Sequence, residues 1–212
     1  MPSLLVVDLL AEREAFGKHG TAEIIRHFPG YEIFLWSPHT KDRHEYGYGT
    51  VVDSPMESDA IFITGSRKNV SQWEPWMDEV ANLIRKCTVP LYGICFGHQI
   101  ICKALGGEVV RADQGSQFIA EVTHHDGSIT KQLFTHQDHV IDSGEMEVIG
   151  SAAHCAIAVC KHPSRPIKTV QFHPEAVQSV IEYSLECGDM TAEERTAFGD
   201  GFQDLDVSQS LI

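Results

Sequence analysis

The chain has 212 residues, 42% of them hydrophobic, and its 30 acidic side chains against 16 basic ones give a formal charge of −14. A chain of this length closes one core without a metal or a disulfide staple, and so acidic a surface argues against nucleic acid or an anionic membrane as partner, because phosphate binding draws on lysine and arginine. No apolar run reaches the length of a membrane span, and the six cysteines lack the paired spacing of a disulfide framework, so a soluble cytoplasmic protein with reduced thiols is expected.

Residues 4–9 are apolar except for Asp8 and read as a buried parallel strand, not as a signal peptide, since no basic region precedes them. Residues 10–19 are polar; after Gly20 and Thr21, the spacing of Ile24, Ile25 and Phe28 predicts a helix that Pro29 and Gly30 end. Residues 31–36 form a second strand and residues 60–64 a third, with a polar loop at 39–49 between them. Residues 74–86 read as an amphipathic helix with Pro75 in its first turn and basic residues in its last.

Residues 89–94 form an apolar strand that meets Gly93-Ile94-Cys95-Phe96-Gly97 and continues as a helix to residue 105. This is the strand-turn-helix context of a nucleophile elbow, with Gly93 and Gly97 giving room for a sharp turn beneath Cys95. Cys95 at a helix N-terminus meets backbone N–H groups that favour negative charge, and the Phe96 N–H supplies half of an oxyanion hole. A buried structural cysteine would look the same in isolation. A base and an orienting acid are supplied by a second run, residues 170–175, in which a strand ends in His173-Pro174-Glu175 and the proline forces a turn.

From residue 108 to 172 the pattern changes to short alternating segments separated by Gly, Asp, Ser and Pro, which predicts antiparallel strands appended to the parallel sheet. Residues 176–187 form a closing helix. Thr191 to Glu194 has the sequence of a helix start, followed by a loose tail. Paired histidines at 124 and 125, the pair His136 and His139, and Cys160 with His162 match no established ligand spacing, so no metal is expected.

GICFGHQ at 93–99 followed by QFHPE at 171–175 resembles the class I, or triad, glutamine amidotransferases, and in wording the glutaminase domain of GMP synthetases. TGSRKNV at 64–70, THQDHV at 135–140 and VIGSAAHCAIAV at 148–159 extend the resemblance over roughly residues 4–182. It implies a flavodoxin-like α/β fold with a mainly parallel central sheet, helices on both faces and appended antiparallel strands. It also implies a glutamine amidotransferase domain over 1–188 with an acidic extension at 189–212. The implied triad is Cys95, His173 and Glu175. The oxyanion hole is implied at Phe96 and at Ser66 or Gly65, where relatives place a glycine; a serine makes that conformation costlier if it needs positive φ. Gln99, Thr135, His136 and Asp138 are the implied substrate contacts, the last three in a turn, although Gln99 and Asp138 equally suit capping or helix-surface roles. Where relatives carry a Glu-aromatic-Gly element this chain has Gln117-Phe118-Ile119.

The activity so implied is hydrolysis of the glutamine side-chain amide through a cysteine thioester, with no cofactor. A phosphate-binding loop of the Gly-x-x-x-x-Gly-Lys type is absent from the sequence, so a separate synthetase is expected to receive the ammonia. Two rivals remain: a stand-alone hydrolase of γ-glutamyl amides or peptides, and a redox-sensing protein in which the elbow cysteine is oxidised, which needs no His-x-Glu after a strand.

Overall fold

The computed structural model describes residues 1–198 and 205–212. Their ten strands form one sheet in the order β3-β2-β1-β4-β5-β10-β9-β8-β6-β7. The parallel part comprises β3 (Thr50–Val52), β2 (Glu32–Trp36), β1 (Ser3–Val7), β4 (Ala60–Ile63), β5 (Leu91–Ile94) and β10 (Ile167–Val170). β9 (Cys155–Lys161), β8 (Glu147–Ala152), β6 (Glu108–His124) and β7 (Ile129–Asp142) continue it as antiparallel neighbours.

Alternation along the parallel strands explains why helices cover both faces. In β1, Leu5 and Val7 point into one apolar cluster with Met77, Val80 and Ile84 of α2 (Pro75–Lys86) and Ile100 and Ile101 of α3 (Phe96–Ala104). Leu4 and Val6 point into the other, with Ile24 of α1 (Ala15–Ile25) and the side chains of Phe28 and Phe62. A strand buried on both sides has no polar face to alternate with, which is why it reads as a continuous apolar run.

Four expectations change. α1 begins at Ala15, inside the stretch read as polar, because the carboxylate of Asp189 accepts hydrogen bonds from the N–H groups of Ala15 (2.9 Å) and Phe16 (2.7 Å) and so caps its first turn from far along the chain. Residues 50–52, unassigned in the sequence, add an edge strand. The segments after residue 108 are not all short: β6 and β7 are 17 and 14 residues long and pair as one hairpin, with a register irregularity between Arg111 and Ser116. Residues 205–212 are not a loose tail, since α6 (Val207–Ser210) inserts Val207 and Leu211 into the second cluster. α4 (Gln178–Glu186) closes the fold, and α5 (Ala192–Ala197) starts at the expected capping box between Thr191 and Glu194. The part of the tail at 199–204 lies outside the described residues.

Candidate active site

Sheet register brings the two motifs together. β5 and β10 are parallel neighbours with Ile94 opposite Val170, and the Cys95 N–H donates to the Val170 carbonyl at 2.9 Å. One residue beyond β5 is therefore Cys95, and three residues beyond β10 is His173, both past the C-terminal ends of the parallel strands, where open α/β sheets hold their sites. Cys95 has φ 51° and ψ −101°, the sole non-glycine residue with positive φ among those described, as a strained elbow demands. The neighbouring glycines are there for space: a Cβ on Gly97 would lie 2.3 Å from the Ile63 carbonyl oxygen, and one on Gly93 would lie 2.7 Å from the Gly97 carbonyl carbon.

His173 Nδ1 lies 2.8 Å from Glu175 Oε1, and both side chains are buried. Burial opposes a charged imidazole, but the Glu175 carboxylate and the Cys95 sulfur outweigh it and hold His173 well above the ordinary histidine range. The other ring nitrogen, Nε2, has no conventional hydrogen-bond partner among the described residues and remains for the sulfur. Gly65 closes the gap from the third side: a Cβ there would sit 2.9 Å from His173 Cε1 and 3.7 Å from the Cys95 Cβ. Phe16 meets the imidazole edge-on, with ring centroids 6.4 Å apart.

Ser66, Cys95, Phe96, Gln99, Thr135, His136, Asp138 and His173 share the wall of one cavity of about 650 Å³. Among the described residues no acceptor is found for the N–H groups of Ser66 and Phe96, both residues of that wall. Ser66 does not adopt positive φ, so the expected backbone penalty does not arise. Its hydroxyl instead accepts from the Lys68 N–H at 3.0 Å and tightens the loop.

The residues expected to touch substrate are at the cavity, with most of their polar atoms already engaged. Thr135, His136 and Asp138 lie within β7 and not in a turn. The Thr135 carbonyl faces the Cys95 sulfur at 3.8 Å. The Gln99 amide donates to the Asp138 carbonyl (3.0 Å) and to Gln171 Oε1 (3.1 Å), so it is neither a cap nor a surface residue but a buried tie between α3 and β7. The Asp138 carboxylate accepts from the Ser71 N–H (2.7 Å) and hydroxyl (2.8 Å) and stands 3.6 Å from Arg111 Nη1. This carboxylate thus anchors the loop that carries Ser66. Burial, more than anything else, pushes His136 down to about 3, so its imidazole is neutral.

Sequence reading passed over Ser71, Arg111, Gln171 and the cavity-lining Arg13, Arg67, Met190, Glu194 and Phe198. Arg13 Nη2 (2.7 Å) and Arg67 Nη2 (3.4 Å) both donate to the Asp189 carbonyl and so pin the 189–198 segment beside the cavity mouth. Glu194 stands in the helix-start motif and Arg67 and Gln171 in quoted runs, but nothing in the local sequence of any of these gives it a place at the site. Each is recruited across more than 25 residues of chain, apart from Met190, Glu194 and Phe198, which travel with Asp189.

A family model described as glutamine amidotransferase class-I matches residues 30–185. Among curated proteins, the chain is 36% identical over 101 residues to a glutamine-hydrolyzing GMP synthase subunit of Methanothermobacter thermautotrophicus, a match covering 43% of this chain and 54% of that one. It is 34% identical over 144 residues to the corresponding protein of Methanocaldococcus jannaschii, covering 64% and 73%. The chain spans about half the length of the first curated relatives it matches. Among solved structures, a glutamine amidotransferase from Thermotoga maritima superposes with a TM-score of 0.69 at 15% identity, over 91% of this chain and 84% of that one, a likeness of fold. No helix among the described residues is long and apolar enough to cross a membrane.

Proposed function

We propose, for a chain that belongs to the class I glutamine amidotransferases, that Cys95, His173 and Glu175 hydrolyse the side-chain amide of glutamine and that a separate synthetase polypeptide takes up the ammonia. The observation that carries this reading is the buried 2.8 Å contact between His173 and Glu175 beside a cysteine held at φ 51° on the elbow. The Cys95 sulfur attacks the amide carbon, and the carbonyl oxygen takes up negative charge against the N–H groups of Phe96 and Ser66. His173 delivers a proton from Nε2 to the departing nitrogen, leaving a γ-glutamyl thioester and free ammonia. The same nitrogen then takes a proton from water as it attacks the thioester, and glutamate leaves. Glu175 holds the tautomer and stabilises the imidazolium throughout. An oxyanion donor is worth about 10²–10³ in rate and the acid-base partner about 10²–10⁴.

Side chains of both signs at the cavity, Arg13, Arg67 and Lys68 against Glu194 and Asp138, support a zwitterionic amino-acid end for the substrate. A second reading, a stand-alone hydrolase of γ-glutamyl amides or peptides, is favoured by cavity size. At about 650 Å³ the space falls in the range for drug-sized ligands, roughly 300–1,000 Å³, and free glutamine is much smaller than those.

The experiment is ammonia and glutamate release by the purified chain from glutamine and from a panel of γ-glutamyl dipeptides, for wild type and Cys95→Ala. Release from glutamine that Cys95→Ala abolishes while keeping the wild-type circular dichroism supports the first reading, and a marked preference for dipeptides the second. Release that survives Cys95→Ala contradicts both.

A further inference from the structure

His136 has a feature that amide hydrolysis does not use. Its Nδ1 lies 2.9 Å from the Asp138 carbonyl oxygen, and only an Nδ1–H can donate there. That fixes the tautomer and leaves the lone pair on Nε2, which is buried and has no hydrogen-bond partner among the described residues. One ring nitrogen anchored on a carbonyl and the other bare is how a protein presents histidine to a metal ion.

The surroundings supply further donors. Ligand atoms of His136, His139 and Cys155 lie within 4.8 Å of one another. The ring of His154 is 5.8 Å from that of His136, and its Nε2 is likewise buried without a partner. The rings of His136 and His139 are 4.5 Å apart. β7 contributes His136 and His139, the first residue of β9 is Cys155 and the turn before it holds His154, so the group joins two packed elements. Spacing in the sequence conceals it, because the β7 pair and the β9 pair belong to different hairpins.

We propose that His136, His139, Cys155 and His154 form a binding site for a borderline-soft divalent cation of the Zn²⁺ class. A mixed imidazole and thiolate set is what such an ion selects over Mg²⁺ or Ca²⁺, which take oxygen. Zn–N bonds of about 2.0–2.1 Å and a Zn–S bond of about 2.3 Å put ligand atoms roughly 3.3–3.6 Å apart, so His136, His139 and Cys155 draw together by about 1 Å on binding, and His154, which lies outside that group of three, turns in as the fourth donor. The Cys155 thiol, which faces the Ile157 carbonyl at 3.4 Å, gives up that contact and loses its proton to solvent as the metal–sulfur bond forms, and three neutral imidazoles donate lone pairs. The other histidine-cysteine group, His98 with Cys102 and Cys160, is unlike it: both ring nitrogens of His98 are engaged, by Thr169 Oγ1 (2.8 Å) and the Ile157 carbonyl (3.1 Å). The proposed cation lies behind the active-site wall, since His136 adjoins Thr135, whose carbonyl meets the Cys95 sulfur.

Cobalt(II) titration of the untagged, chelator-treated chain tests this. The expected result is a thiolate-to-cobalt charge-transfer band with the visible bands of tetrahedral Co²⁺, saturating at one equivalent and displaced by Zn²⁺. The charge-transfer band is lost in Cys155→Ser and kept in Cys95→Ser. His139→Ala, at a half-buried position, weakens Co²⁺ binding about tenfold or more and keeps the proposal testable if Cys155→Ser fails to fold. The proposal is overturned by absence of the band, by a band that follows Cys95, or by Co²⁺ affinity unchanged in His139→Ala.

Discussion

Glu175 is fully buried, with Oε1 on His173 and no partner for Oε2 among the described residues. Such a carboxylate is tolerated where a cation answers it, and the raised proton affinity of His173 is the other half of that arrangement. Because the folded value lies above the unfolded one of about 6.5, the imidazolium contributes stability that is complete below that pH and lost as pH rises through the raised folded value. Glu175→Gln removes the raising partner. The melting-temperature gap between wild type and Glu175→Gln is therefore expected to be widest near about pH 6 and to narrow on going alkaline, and thermal unfolding across pH checks it. In the same variant turnover falls by about 10²-fold or more, since the imidazole loses both orientation and charge stabilisation. Gly65→Ala is a separate probe: a methyl group 2.9 Å from His173 Cε1 displaces the ring, so kcat drops about 10²-fold and the melting temperature falls with it. Cys95, His173 and Glu175 were legible because each stands in a short motif whose backbone demand, a glycine-flanked elbow or a proline-enforced turn, is written beside it. The use of Asp138 was not, because nothing near residue 138 announces that Ser71 will claim both carboxylate oxygens.

Elements that obey local rules were predicted, and those that depend on remote partners were not. α2 shows both ends in its sequence, with Pro75 at the start and Arg85 and Lys86 in its last turn. α1 does not show its start, having no acidic residue in its first turn and no side-chain cap of its own. Its cap is Asp189, which also stands 3.9 Å from Arg13 Nε, while its carbonyl holds Arg13 and Arg67. Asp189→Ala is accordingly expected to destabilise the fold by about 1 kcal/mol, measured by urea unfolding, as loss of a helix N-cap does. The carbonyl contacts of residue 189 to Arg13 and Arg67 remain in this variant, but the carboxylate's hold on α1 is lost, so Met190, Glu194 and Phe198 are less firmly seated at the cavity wall and KM should rise more than kcat falls. The hairpin of β6 and β7 ran longer than its sequence suggested because glycine and aspartate at 113–115, read as strand ends, are taken up at the register irregularity between Arg111 and Ser116.

Across the molecule, the parallel order β3-β2-β1-β4-β5-β10 sets the candidate site at the C-terminal ends of its central strands, and the antiparallel extension supplies its wall. The parallel half was readable from doubly buried apolar runs. The placement of β10 between β5 and β9 was not, since one short strand pairs parallel on one side and antiparallel on the other. That placement matters most, because it brings His173 to Cys95. Trapping the intermediate tests it directly: the chain is mixed with glutamine, acid-quenched within the first turnover, and analysed by intact-protein and peptide mass spectrometry. The expected adduct has the mass of glutamine less ammonia, maps to Cys95, and accumulates when His173→Ala slows its hydrolysis more than its formation; a glutamine-shaped electrophile is expected on the same sulfur, with its own mass less that of its leaving group. An adduct on another cysteine, or no labelling of Cys95 by substrate or electrophile in the folded wild-type chain, would contradict the account.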